Sequence, residues 1–68
     1  MTILVYNADQ NTNEPLHRLK MPCIPRVGET LIFEEYDELE KEGVVKRVNY
    51  NFGEDDELLF VELDLHFL

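Results

Sequence analysis

Few side chains in this sequence could do covalent chemistry. It contains no serine, a single cysteine, Cys23, and two histidines, His17 and His66. A thiol becomes a useful nucleophile when an imidazole is held against it. Cys23 lies between Pro22 and Ile24, a setting in which a small apolar residue is the ordinary reading. His17 belongs to an early segment and His66 to the last one, and nothing in the spacing orients either toward Cys23. One cysteine can form neither an internal disulfide nor a cysteine-based zinc site. Catalytic residues are therefore not expected.

Oxygen ligands are abundant but badly spaced for a metal. Glu34, Glu35, Asp37 and Glu38 form one run, and Glu54, Asp55, Asp56 and Glu57 form another. A calcium loop needs alternating ligands around a central glycine, and neither run has them. Gly28, Gly43 and Gly53 are set apart as turn residues, so they make no phosphate cradle. No metal and no cofactor are expected.

Charge speaks more directly about partners. The 68 residues carry 15 acidic and 6 basic side chains, a net −9 with a pI near 4.4. Residues 1–26 sum to +1 and residues 27–68 to −10. Nucleic-acid binding depends on basic groups neutralising phosphates, so direct binding is not expected. An anionic membrane surface is disfavoured for the same reason. The first residues, Met1–Asn7, lack the basic start and long apolar stretch of a signal peptide. Together with the unpaired cysteine, this leads us to expect a cytoplasmic protein.

The elements that would position any site read as strands of one domain spanning 1–68. Alternating or β-branched apolar residues mark Thr2–Asn7, Leu16–Met21, Thr30–Glu35, Gly43–Phe52 and Glu57–Phe67. A polar loop covers 8–14, and Pro22, Pro25 and Gly28 punctuate the next connection. Residues 53–56, Gly-Glu-Asp-Asp, join the last two segments as a hairpin. A regular ladder there pairs Tyr50 with Leu59, Val48 with Val61, Val44 with Leu65 and Arg47 with Glu62. It leaves Lys46 opposite Leu63 as a misfit. A sequence this short cannot stack two full sheets with helices, so the expected fold is all-β: a small five-stranded, strongly bent barrel with a C-terminal β-hairpin.

Pro25-Arg26-Val27-Gly28-Glu29-Thr30-Leu31-Ile32-Phe33, followed by Gly43-Val44-Val45 and Val48-Asn49-Tyr50, resembles the SH3-like small-barrel pattern over roughly residues 22–67. In particular it is similar to small uncharacterised barrel proteins of bacteria and their phages. The resemblance implies an SH3-like barrel that binds a peptide, protein or nucleic acid. It transfers no site residue: the chain has no tryptophan and lacks the aromatic-rich peptide groove of true SH3 domains.

Two surfaces follow as candidates. In the regular ladder, Leu58, Phe60 and Val45 stand on the outer face of the hairpin among Arg47, Asn49, Asn51 and Glu62. Leu58, Phe60, Arg47 and Asn49 are then the expected partner-binding residues of a non-catalytic interaction module, with another protein or a second copy as partner. The alternative is an acidic inhibitor or DNA mimic. Glu38, Glu40, Asp55 and Asp56 would then occupy a partner's basic groove.

Overall fold

The computed structural model describes residues 1–34 and 41–68. Its five strands are β1 (Thr2–Asn7), β2 (His17–Lys20), β3 (Thr30–Ile32), β4 (Glu42–Phe52) and β5 (Leu58–Phe67). They form one sheet in the order β2-β1-β5-β4-β3, strongly curled into a half-barrel, and the fold is all-β. Every neighbouring pair is antiparallel except β1 and β5, which run parallel from Ile3 beside Val61 to Asn7 beside Leu65. The first and last strands of the chain are thus neighbours inside the sheet, with β5 at its centre. No helix among the described residues is long and apolar enough to cross a membrane.

Strand alternation sets the core. Ile3 and Val5 from β1, Val61, Leu63 and Leu65 from β5, and Val45 from β4 are fully buried, with Phe33 closing the cluster. Fully burying such an aliphatic side chain stabilises by about 1.5–3 kcal/mol, and partly buried side chains such as Leu19, Leu31, Val48 and Phe67 pack around this set. His17 lies in the same layer. Its ring stacks on Phe33 with centroids 4.1 Å apart and planes within 17°.

Two glycines answer to different requirements, one of conformation and one of space. Glu29 N–H donates to the Arg26 carbonyl at 3.0 Å, and Gly28, third residue of that turn, has φ of +95°. A turn of this shape needs positive φ at its third position, which glycine adopts without penalty. The turn then docks on β4: Gly28 N–H donates to the Val45 carbonyl (2.9 Å), and Val45 N–H donates to the Glu29 carbonyl (2.8 Å). At Gly43 the requirement is space. A Cβ there would lie 3.1 Å from Leu65 Cβ and 3.2 Å from Phe67 Cδ1.

The hairpin differs from the regular ladder in register. Val48 pairs with Leu63, Tyr50 with Val61, Asn49 with Glu62 and Arg47 with Asp64, two residues along from the expected pairing. Irregularities at Lys46 and at Leu59 divide the ladder. A bulge inserts one extra residue and changes which residues face the core beyond it. Val45, expected outside, therefore pairs with Leu65 and is buried, whereas Lys46 has no partner across the ladder and is exposed. Leu59, expected in the apolar row, is left 53% exposed, and Leu58 packs against the core cluster instead.

Candidate interaction surfaces

Two surfaces of the β4–β5 ribbon differ in chemistry. The first is the outer face of the sheet, where β1, β5 and β4 present Tyr6, Glu62, Asp64, Arg47 and Asn49 side by side. Their registers place Tyr6 beside Asp64, Asp64 opposite Arg47, and Glu62 opposite Asn49. Arg47 Nε donates to Asp64 Oδ2 at 3.0 Å, and Asn51 Nδ2 donates to Glu62 Oε1 at 3.2 Å. Burial raises the Tyr6 phenol above its usual value, and its interaction with the nearby Glu62 carboxylate raises it further.

The loop after β1 rises over this face. Asn7 starts it by accepting the Asp9 N–H on its side-chain oxygen at 2.9 Å, an Asx turn. The Ala8 N–H donates to the Leu65 carbonyl at 2.7 Å, and Asp9 Oδ2 lies 2.7 Å from His66 Nδ1. Between loop and sheet lies an open polar groove of about 490 Å³ bordered by Tyr6, Asp9, Arg47, Asn49, Glu62 and Asp64. Its carboxylates are engaged: Asp64 by Arg47, Glu62 by Asn51, and Asp9 by His66. Such a face is wet and internally satisfied.

The second surface is the far end of the ribbon. Pairing with β1 begins at Ile3 beside Val61, and β3 accompanies β4 only over Glu42–Val44. Beyond those points the ribbon continues as two strands, and the molecule measures 40 × 26 × 20 Å. There Tyr50, Phe52 and Leu59 are 52%, 59% and 53% exposed. Tyr50 and Phe52 pair with Val61 and Leu58, and the Leu59 irregularity lies between. The connecting turn is closed by Gly53 N–H donating to the Glu57 carbonyl at 2.7 Å, with Asp56 in the left-handed region at φ 58°. Glu54, Asp55, Asp56 and Glu57 are all exposed on it.

The expected site residues are therefore divided. Arg47 and Asn49 border the polar groove, Phe60 is half-buried opposite Asn51, and Leu58 is half-buried against the core cluster. Asp55 and Asp56 are exposed at the hairpin tip, whereas Glu38 and Glu40 lie outside the described residues. The thiol–imidazole candidates are dispersed. Cys23 is exposed, His17 is in the core, and His66 is on the outer face with Asp9. Among the described residues no three His, Cys, Asp or Glu side chains gather as a metal would need. Tyr50, Phe52 and Leu59 were not singled out as a surface by the sequence, because alternation places Tyr50 and Leu59 in the buried row. Comparison of the chain with protein-family models, curated proteins and solved structures finds no match.

Proposed function

We propose that this chain is a non-catalytic small-barrel module that binds another protein through the free end of its β4–β5 hairpin. One observation carries the reading: Tyr50, Phe52 and Leu59 are each more than half exposed on one short stretch of two-stranded ribbon. Aromatic side chains supply the anchors of most protein interfaces, because they bury a large area at little cost in rotamer freedom. Here they serve no visible packing need, since the core is complete without them. The polar groove is the weaker candidate, because its charged groups already satisfy one another.

The test compares the full chain, immobilised, with its Tyr50→Ser/Phe52→Ser variant in affinity capture from a lysate. The variant's far-UV circular dichroism and melting temperature report on folding. A discrete protein retained by the parent and lost at least ten-fold from the folded variant is the expected result. Equal retention by both overturns the hairpin assignment and transfers attention to Arg47 and Asn49.

A further inference from the structure

We infer that the hairpin end takes an extended segment of a partner protein, laid along the free edge of β4, with apolar side chains at alternate positions and Lys or Arg beside them. The inference rests on the interaction reading above and adds the partner's chemistry. The first ground is the backbone. The docked turn at Gly28 and Glu29 covers the outer edge of β4 at Val45. From Arg47 to Phe52, no described residue outside β5 pairs with β4 through backbone hydrogen bonds. An edge left unpaired in this way among the described residues is a template for strand addition, in which main-chain hydrogen bonds give affinity and alternate side chains give specificity.

The second ground is the side chains on that edge. Tyr50 and Phe52 are two apart, the repeat at which a strand returns to the same face, and both are exposed. An added strand with apolar residues at the same repeat would cover them. The third ground is charge. Four consecutive acidic residues, Glu54–Glu57, follow directly on Phe52 and Gly53, within the net −9 of the chain. Cationic side chains beside the apolar ones complement both the tip and the long-range field, which also speeds encounter. A second copy fits poorly: each chain brings the same negative excess, so self-association works against the field of both.

The test uses the 15N-labelled full chain and three synthetic octapeptides with blocked ends. One alternates Val and Lys. The second alternates Val and Glu. The third is the Val/Lys peptide N-methylated at alternate residues, which deletes the donors of one edge. The first is expected to shift the amides of 47–52 and 54–59 and to slow hydrogen exchange along β4. The other two should bind at least ten-fold more weakly. Glu54→Lys/Asp55→Lys, a change confined to the exposed turn, should invert the preference toward the Val/Glu peptide.

Equal binding of the Lys and Glu peptides would overturn the charge assignment and leave the interaction reading standing. Undiminished binding of the N-methylated peptide would overturn strand addition. Absence of any shift with all three, while Tyr50→Ser/Phe52→Ser still abolishes capture, would overturn the partner class alone. A concentration-dependent dimer in sedimentation, lost in that same variant, would assign the edge to a second copy and overturn the proposal.

Discussion

Replacing Gly28 by alanine of each hand isolates one backbone angle from everything else. Gly28 has φ of +95°, and a Cβ built on it meets nothing within 4 Å. Contact therefore contributes nothing to the cost of L-alanine, and only conformation does. Holding an L-residue in the left-handed region costs about 1–2 kcal/mol. Removing glycine's freedom from the unfolded chain returns about 0.4–1 kcal/mol. The net loss for Gly28→Ala is between zero and about 1.6 kcal/mol, which in a domain of this size lowers the melting temperature by at most roughly 13 °C. D-alanine accepts the same angle without strain and keeps the unfolded-state gain, so replacing Gly28 by D-alanine should raise the melting temperature by about 2–8 °C. A 68-residue chain is within reach of chemical synthesis, and thermal unfolding followed by circular dichroism reads both changes. If the two hands of alanine melt together, residue 28 does not hold a positive φ. The account of how this turn docks on β4 at Val45 would then fail with it.

Other perturbations separate core, face and tip. Leu63→Ala empties a fully buried site and should cost about 2–5 kcal/mol, enough to unfold much of the population at 25 °C. Leu59→Ala, at a half-exposed site, should stay below about 1 kcal/mol, and urea titration of both decides whether the core boundary lies between them. The Arg47–Asp64 contact has an arginine 69% exposed, so a double-mutant cycle should return a coupling of only about 0.2–1 kcal/mol. A value well above that would mean the outer face is drier than its exposure implies. Tyr6 titrates above its usual value through burial and then through Glu62. Its contribution to stability is thus fully present below the unfolded tyrosine pKa and fades as pH rises through the folded one. Glu62→Gln should bring the phenol part of the way back, as read by 13C NMR of labelled tyrosine. An unmoved value would remove Glu62 as a cause.

The strands were legible in the sequence because alternation is a local property. Thr2–Asn7 is as expected, and His17–Lys20, Thr30–Ile32, Glu42–Phe52 and Leu58–Phe67 differ from the reading only at their ends. The faces of the shorter strands also follow the pattern: His17, Leu19, Leu31 and Phe33 turn toward the core, and Ile32 turns away. Register was not legible, and the reason is specific. A single regular ladder can place Val48 and Tyr50 on the core side only by placing Val45 outside and Lys46 opposite Leu63. The chain resolves that conflict by making Lys46 the extra residue, so the misfit lysine was itself the mark of the bulge. The parallel pairing of β1 with β5 joins segments more than fifty residues apart in sequence, and no local pattern reports that.

The candidate site stayed hidden for a related reason. Apolar alternation in β4 and β5 runs on through Tyr50 and Leu59, so pattern alone assigns them to the core. Burial, however, needs a neighbour to supply the other wall. β1 meets β5 only from Val61 onward, and β3 leaves β4 after Val44. The apolar pattern thus outlasts the sheet that would cover it. A two-stranded ribbon left alone in water is marginal, and one carrying two exposed aromatic residues and a leucine adds the liability of sticking to other chains. Under the proposal above, the four carboxylates at its turn offset that liability by repelling other copies and favour a chain of opposite sign. Local propensity and tertiary cover disagree at the end of this ribbon, and sites where the levels disagree are where function is expected to reside. The proposal above accordingly gives the aromatic residues a role outside the molecule. Their replacement by serine should accordingly cost little stability and most of the binding.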